Sequence, residues 1–345
     1  MKYKLLGRSG LRVSELCLGT MTFGEDWGWG ASKEESRKIF DVFIYAGGNF
    51  VDTANRYTEG TSESFVGEFI KPVRSKIVLA TKYSLHTKKG DPNDGGNHRK
   101  NLVQSLEGSL RRLQTDYIDI LYVHAWDFTT GIEEVMRGLE DVVSSGKVLY
   151  PGVSDTPAWI ISHAQAIARL RGWHPFVVAQ FEYSLLQRTV EADLVPMSEA
   201  MDLGITAWAP LAGGALTGKY LDSSEGEKRL PSKSKRLQGR STEITKKVVE
   251  IAHATDCKPS HVALNWLRKR GANIIPVIGT RRSDQMLDNI RCLEFTLSDE
   301  HVNALNEISS IELGFPHDFL ASEPIREIVF GGMQEKIDRR RIPGI

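Results

Sequence analysis

The sequence has few cysteines and no excess of charge of either sign. Its 345 residues include only three cysteines, Cys17, Cys257 and Cys292, whose spacing fits no metal-binding motif and which cannot all pair. We therefore expect free thiols in a reducing compartment and no metal ion. Forty-four Lys and Arg balance 44 Asp and Glu. This balance gives no support for a protein that binds nucleic acid through its overall field.

Long apolar runs are also missing. No stretch reaches the length needed to cross a bilayer, and the N-terminus lacks the apolar centre of a signal peptide. We expect a cytoplasmic protein without a membrane partner. No Gly-x-Gly-x-x-Gly follows an early strand, which argues against a Rossmann dehydrogenase. Residues 213–220 nearly match the phosphate-binding loop of NTPases, but Tyr220 stands where Ser or Thr would bind magnesium, so nucleotide hydrolysis is rejected.

What the sequence does contain is an alternation of strand and helix patterns. Short apolar runs are typical of parallel strands buried on both faces. They occupy residues 49–52, 77–80, 118–123, 148–153, 176–179, 205–208 and 274–278. Helical spacing is found at 102–113, 132–143, 159–170, 242–254 and 260–269. The alternation fits a closed barrel or an open doubly wound sheet, and the absence of a composition break favours one domain over 1–345.

Several local features can be predicted in this framework. Strand-like residues 3–6 and 12–18 flank a turn signal at 7–10, which predicts an N-terminal β-hairpin. Thr156 and Pro157 are typical of an N-cap and a first helical residue, and Ser283 could cap a later helix. Residues 86–98 and 225–240 are predicted to be long loops, and 311–345 a C-terminal tail with a basic run at 339–341.

Polar side chains recur where the predicted strands end. Asp52 ends one strand, Lys82 closely follows the next, and His124 ends the one after that. Later strands are followed by Ser154, Asp155, Gln180, Trp208, Gly279, Thr280 and Arg281. In a parallel barrel these ends meet at one rim, where active sites are built. Each residue alone is commonly a turn residue or a solvated charge, but Asp, Lys and His together could shift one another's proton affinities.

Three of these segments resemble motifs of the aldo-keto reductases. Residues 52–57 read Asp-Thr-Ala-Asn-Arg-Tyr, residues 79–82 read Leu-Ala-Thr-Lys, and residues 117–124 end on His124. The resemblance covers nearly the whole chain, from about residue 5 to 297. It implies a (β/α)8 TIM barrel with long active-site loops and an enzyme that moves a hydride between nicotinamide and a carbonyl or alcohol carbon.

The resemblance also implies a catalytic set of Asp52, Tyr57, Lys82 and His124. Tyr57 would donate a proton to the carbonyl oxygen. A free tyrosine has a pKa of about 10, and the ammonium of Lys82 would lower the pKa of Tyr57. Asp52 would hold Lys82, and His124 would bind the substrate oxygen, which gains negative charge during reduction.

A dinucleotide site follows from the same resemblance. The implied cofactor residues are Gly19, Thr20, Met21, Ser154, Asp155, Gln180, Trp208, Leu211, Gly213, Leu216, Gly218, Lys219, Gly279, Thr280, Arg281, Gln285 and Asn289. Trp208 would stack on the nicotinamide, and Arg281 would bind a 2′-phosphate, which favours NADP(H) over NAD(H). Two positions depart from the pattern: Asp155 stands where many relatives have Asn, and Gln285 where some have Arg.

Aromatic residues that follow the first and fourth barrel strands suggest the substrate. They are Phe23, Trp27, Trp29, Trp126 and Phe128. Folded over the rim they would form a wall for an aryl or bulky aldehyde or ketone; alternatively, several only pack loops on the barrel. Two other roles stay open: a regulatory, cofactor-sensing subunit with slow turnover, and physiological alcohol oxidation. A homo-oligomer is also left open.

Overall fold

Parallel strands form a closed barrel, as the sequence predicts. The structure is a computed structural model and describes residues 1–221, 230–271 and 273–338. Its barrel strands are β3 (Cys17–Gly19), β4 (Phe50–Asp52), β5 (Val78–Tyr83), β6 (Ile118–Val123), β7 (Val148–Ser154), β8 (Val178–Glu182), β9 (Gly204–Trp208) and β10 (Ile274–Ile278). Each pairs in parallel with the next, and β10 returns to β3, so the (β/α)8 TIM-barrel expectation is confirmed.

The N-terminal hairpin is present but shorter than predicted. Its strands are β1 (Tyr3–Leu5) and β2 (Arg12–Ser14), paired antiparallel. The sequence predicts one strand over 12–18, and this prediction is wrong because the chain changes sheets there. Beyond Ser14, whose hydroxyl donates to the Leu16 carbonyl at 2.7 Å, Cys17 begins the first barrel strand. The apolar run continues through both segments, so it does not show the break.

Helices follow the strands, and all of the described α-helices except the last two bury apolar residues. They are α1 (Lys33–Tyr45), α2 (Thr61–Ile70), α3 (Arg99–Leu113), α4 (Ile132–Ser144), α5 (Ala158–Arg171), α6 (Leu194–Ala200), α7 (Arg240–Ala254), α8 (Pro259–Lys269), α9 (Ser283–Ile290), α10 (Asp299–Ile308), α11 (His317–Ala321) and α12 (Glu323–Phe330). In α4, Val135, Met136 and Leu139 recur at helical spacing and are buried. This burial stabilises the layer of helices around the strands.

Two predicted helix caps are wrong by one residue. Pro157, not Thr156, occupies the N-cap of α5, and the Thr156 hydroxyl donates to the Ser154 carbonyl at 2.8 Å. Arg282 is the N-cap of α9, so Ser283 is the first helical residue. Both segments carry adjacent residues with cap or first-turn preferences, which makes the boundary ambiguous from sequence.

The structure describes the first predicted long loop in full, and the second loop and the C-terminal tail only in part. Residues 84–98 lack a helix or strand, as predicted, and the His98 ring then caps α3. Of the predicted loop at 225–240, residues 225–229 lie outside the described part; the remainder holds a short 3-10 turn, Lys235–Leu237. The basic run at 339–341 is also outside it. In the tail, α11 and α12 are exposed. Among the described residues, no helix could span a membrane.

Candidate active site

The centre of the rim holds a buried lysine whose three donors are all used. Lys82 Nζ lies 2.6 Å from Asp52 Oδ2, 2.9 Å from the Thr53 carbonyl oxygen and 3.0 Å from the Tyr57 hydroxyl. An ammonium has three N–H groups, so this set satisfies it completely. β5 extends to Tyr83, so Lys82 sits within the strand and next to the end of β4. Its side chain is fully buried.

The contact between Lys82 and Asp52 determines the protonation state of the lysine. Burial alone would lower the pKa of Lys82, but the Asp52 carboxylate and Tyr57 outweigh it and hold that pKa above its ordinary value. Asp52 also accepts a hydrogen bond at Oδ1 from Gln180 Nε2, at 3.0 Å. The two carboxylate oxygens therefore have separate donors, and Lys82 remains an ammonium at neutral pH.

Tyr57 lies where this charged pair meets the open cavity. It begins a short 3-10 turn, Tyr57–Gly60, that follows the β4 end. Burial raises the pKa of Tyr57, and the nearby Lys82 only partly opposes that rise. The expectation of a lowered pKa is therefore wrong for the protein alone, because desolvation of the phenolate outweighs the ammonium. Since its oxygen accepts from Lys82, the Tyr57 proton is available for another acceptor.

His124 stands beside Tyr57 at the end of β6. The two rings meet edge to face, with centroids 5.9 Å apart. Burial and the Lys82 charge hold the pKa of His124 well below its usual value, so the imidazole is neutral at pH 7. Its Nδ1 is buried and has no hydrogen-bond partner among the described residues. The structure thus brings Asp52, Tyr57, Lys82 and His124 together.

A cavity of about 760 Å³ opens from this centre across the rim. Most of the predicted dinucleotide residues line it: Gly19, Met21, Ser154, Asp155, Gln180, Trp208, Leu211, Gly213, Lys219, Gly279, Thr280, Arg281, Gln285 and Asn289. At Gly19 a Cβ atom would come within 2.8 Å of Val277 Cγ1, so glycine keeps this end of β3 close to β10. The cavity therefore extends from Asp52, one member of the buried ion pair, to α9.

Three predicted dinucleotide residues do not line the cavity. Thr20 is fully buried, and its hydroxyl donates to the Asp52 carbonyl oxygen at 3.0 Å. Leu216 is fully buried in the hydrophobic core. Gly218 has a φ of +81° and ends the 3-10 turn Ala212–Thr217. The structure therefore does not place these three residues in contact with a ligand in the cavity.

Other lining residues are absent from the sequence prediction. They are Thr22, Arg56, Leu85, Ala209, Pro210, Gly214, Thr217, Arg236, Lys258, Pro259, Ser260, Val277, Ile278 and Asp288. Lys258 is the N-cap of α8, and Pro259 and Ser260 are its first two residues, so a search of strand ends cannot find them. Arg236, paired with Glu182, comes from the long loop after β9. Asp288 could have been predicted from the sequence, since it directly precedes the predicted Asn289 in α9.

The Trp208 ring is held by Asp155. Asp155 has a φ of +40°, a left-handed conformation that few non-glycine residues adopt. This turn lets its Oδ1 accept a hydrogen bond from Trp208 Nε1 at 3.0 Å. Burial raises the pKa of Asp155. The indole bond therefore fixes the ring's orientation at the end of β9, and one carboxylate oxygen is already engaged.

The side-chain amide nitrogen of Gln180 points into the barrel, towards Asp52 and Thr206. Nε2 donates to Asp52 Oδ1 at 3.0 Å and to Thr206 Oγ1 at 3.2 Å. An amide nitrogen has two donors, so both are used. A ligand in the cavity would therefore be bound by Gln180 only through its carbonyl oxygen, as an acceptor.

The far end of the cavity is formed by α8 and α9. Lys258 Nζ lies 2.7 Å from Asp288 Oδ1, which ties the start of α8 to α9. The Thr280 side chain is 6% exposed, and its hydroxyl has no hydrogen-bond partner among the described residues. Gln285 Oε1 accepts from the Arg281 backbone N–H at 3.3 Å. An unsatisfied buried hydroxyl is costly, so Thr280 leaves a hydrogen-bonding group available at this end of the cavity.

The predicted aromatic wall is only partly assembled at the cavity. Trp27 lines it, stacks at 5.8 Å on Trp29, and donates from Nε1 to Glu59 at 3.1 Å. Phe23 is fully buried and packs edge-on against Phe69. Trp126 packs against the hydrophobic core, and Phe128 is 70% exposed. Thus Trp27 is the aromatic residue of this group that a ligand would touch.

Comparison with known proteins gives an independent assignment of the family. Residues 15–310 match the Aldo/keto reductase family. The chain is 39% identical over 330 residues to the norsolorinic acid reductase of Aspergillus flavus, covering 93% of this chain and 84% of that protein. It is 38% identical over 329 residues to the aryl-alcohol dehydrogenase [NADP(+)] of Phanerodontia chrysosporium, covering 89% of this chain and 86% of that protein. Matches of this length and identity include every strand of the barrel, and the chain belongs to the aldo/keto reductase family.

Proposed function

We propose that this protein is an NADP(H)-dependent reductase of aldehydes and ketones, with Tyr57 as the proton donor. The observation that carries the proposal is the Lys82–Tyr57 contact at the cavity wall, at 3.0 Å. Carbonyl reduction needs a hydride at carbon and a proton at oxygen. When bound, a reduced nicotinamide supplies the hydride, and this chain must supply the proton.

The proton comes from Tyr57 and is stabilised by its neighbours. The Tyr57 hydroxyl accepts from Lys82, so its own hydrogen can be donated to a carbonyl oxygen in the cavity. As that proton leaves, the phenolate forms next to the ammonium, which stabilises it electrostatically. His124 lines the cavity beside Tyr57, and its neutral imidazole would donate a hydrogen bond to the same oxygen and orient it. Asp52 keeps Lys82 in place throughout.

The residues present fit a dinucleotide. The cavity extends from Tyr57 to α9, and the buried, unpartnered hydroxyl of Thr280 lies at its far end. Trp208, oriented by Asp155, would hold the nicotinamide, and Ser154 and Gln180 would bind its carboxamide. Thr20, Leu216 and Gly218, which do not line the cavity, would support this site from outside it. Arg281 would bind the 2′-phosphate, for which a guanidinium has suitable paired donors.

The relatives support the type of substrate. Two of them are named for an aryl alcohol and for norsolorinic acid. Trp27 provides a flat apolar face at the cavity, which suits an aryl or bulky hydrophobic carbonyl compound. The same groups catalyse the reverse reaction, since Tyr57 can accept the proton that it donates. The name aryl-alcohol dehydrogenase favours alcohol oxidation as the second candidate, and cellular cofactor ratios decide the direction.

Cofactor titration tests this proposal without a substrate. We expect NADPH to quench intrinsic tryptophan fluorescence in a saturable way, because Trp208 lines the cavity and is held in one orientation. A Trp208→Phe variant should bind NADPH but lose most of the quenching. If neither NADPH nor NADH changes the fluorescence or melting temperature of the wild type, the dinucleotide site is refuted and a non-catalytic role gains weight.

The aromatic substrate face can be tested separately. We expect Trp27→Ala to raise KM for an aryl aldehyde by about two- to tenfold, because loss of one aromatic contact costs roughly 0.5–1.5 kcal/mol. The effect on a short aliphatic aldehyde should be much smaller. Phe128→Ala is the control, since Phe128 is largely exposed. Equal KM changes for both aldehydes would contradict a stacking role for Trp27.

A further inference from the structure

The N-terminus of α9 is already in contact with a carboxylate from another helix. Ser283, the first residue of α9, donates its backbone N–H to Glu35 Oε1 at 2.6 Å. Glu35 lies in the first turn of α1, 248 residues away in sequence. Hydrogen bonds from Ser283 lower the pKa of Glu35, so this carboxylate is ionised at neutral pH. The positive end of a helix dipole favours a negative charge at this position.

The contact between Ser283 and Glu35 lies next in sequence to residues that line the far end of the cavity. Thr280 and Arg281 immediately precede the helix and line the cavity. The Thr280 carbonyl is fixed by a 2.6 Å hydrogen bond from the Thr22 hydroxyl, while the Thr280 hydroxyl is buried without a partner among the described residues. The Thr280 carbonyl has its partner within the protein, but the Thr280 hydroxyl does not. A ligand with an acceptor oxygen would supply the missing partner. Phosphate oxygens are such acceptors.

We propose that Glu35 is a cofactor-specificity residue that weakens binding of a 2′-phosphorylated dinucleotide relative to its unphosphorylated counterpart. The inference rests on the proposed function, since it needs the adenosine end of NADP(H) to lie at Thr280 and Arg281. The 2′-phosphate and the Glu35 carboxylate are both anionic and are attracted to the same helix end. A ribose 2′-hydroxyl carries no charge, so NADH does not meet this repulsion.

Glu35 has an ion-pair partner on its own helix. Lys38 Nζ lies 3.5 Å from Glu35 Oε2, but its side chain is 66% exposed and is therefore well screened by solvent. Arg282 pairs with Asp284 at 3.0 Å. Glu35 itself is only partly exposed and touches the α9 backbone directly. The Asp284 carboxylate, with which Arg282 pairs, also touches this helix end and accepts from the Gln285 backbone N–H at 2.9 Å. The Glu35 charge acts on the same end through its direct contact with the Ser283 N–H.

The test compares Glu35→Gln with Glu34→Gln. Glutamine keeps an acceptor oxygen for the Ser283 N–H but removes the charge, so α9 remains capped. Glu34 is adjacent, exposed and also in the first turn of α1, so its variant controls for net charge and helix stability. Each protein would be titrated with NADPH and NADH, following tryptophan fluorescence. Adenosine 2′,5′-bisphosphate and AMP would probe the adenosine end alone by thermal shift.

We expect Glu35→Gln to lower Kd for NADPH by about three- to tenfold, the size of one partly screened charge interaction. Kd for NADH should change less than about twofold on the same grounds. The difference should shrink at high ionic strength, and adenosine 2′,5′-bisphosphate should show the same shift whereas AMP should not. Glu34→Gln should behave like the wild type.

An unchanged NADPH-to-NADH ratio in Glu35→Gln would overturn the inference, as would an equal shift in Glu34→Gln. Both results would leave the proposed function intact, because the wild type would still bind NADPH. Wild-type protein that binds neither dinucleotide would instead overturn the cofactor site, and the specificity role with it. The melting temperatures of the free proteins show whether Glu35→Gln is folded before any Kd is compared.

Discussion

Replacing Tyr57 with phenylalanine should reduce carbonyl reduction by about 10²–10⁴-fold, the usual contribution of a positioned general acid. The ring would keep its edge contact with His124, so the cavity wall should hardly change. Only the hydroxyl, and with it the proton and the contact with Lys82, would be lost. Turnover of an aryl aldehyde with NADPH under saturating conditions measures this effect.

The control for this variant is cofactor affinity. NADPH should bind Tyr57→Phe nearly as tightly as the wild type, because the proposed contacts with the dinucleotide come from other residues. A variant that binds NADPH normally and still reduces the aldehyde at the wild-type rate would refute Tyr57 as the donor. Loss of both binding and turnover would point to structural damage, which circular dichroism would detect.

Replacing Lys82 with methionine should destabilise the protein by about 3–5 kcal/mol, the usual cost of leaving one partner of a buried ion pair uncompensated. The Lys82 and Asp52 side chains are 0% and 3% exposed, so solvent cannot replace the lost contact. Activity should also fall strongly, because the Tyr57 phenolate would form without a neighbouring cation. Chemical denaturation of the protein alone measures the first effect, and turnover measures the second.

The double variant Asp52→Asn/Lys82→Met separates the two effects. Removing the orphaned carboxylate should restore a large part of the lost stability, because an asparagine oxygen can still accept from Gln180. Activity should stay low, since no cation remains beside Tyr57. If the double variant is as unstable as the sum of the single variants, Asp52 and Lys82 do not act as a pair.

Much of the reacting centre could be predicted from the sequence because its residues lie at strand ends. Asp52, Lys82 and His124 each follow or end an apolar run, and barrel closure brings such positions together. The contacts of Lys82 with Asp52 and Tyr57 are implied by the family resemblance, whereas the hydrogen bonds of Gln180 and Asp155 could not be predicted. Gln180 uses both amide hydrogens on Asp52 and Thr206 because of its side-chain orientation, which no local pattern reveals. Asp155 reaches Trp208 because of its positive φ, which no local pattern reveals either.

The cavity's far end shows a second limit. Lys258 enters from the turn between two helices, and Glu35 reaches α9 from α1. These contacts join segments far apart in sequence and involve residue types that are common on any surface. The burial of Phe23 is a limit of another kind: an aromatic residue after a strand fits a core position as well as a cavity wall.

The barrel closes where its first and last strands meet, and the ligand cavity lies over that seam. β3 and β10 pair through Cys17 with Val277 and Leu18 with Ile278, and Gly19, Ile278 and Gly279 line the cavity just above. A ligand bound there touches both ends of the fold at once, and a ligand that binds only the closed barrel stabilises it by mass action. Occupancy would then raise the free energy of unfolding, so the ligand would act as a clasp on the closed barrel as well as a reactant.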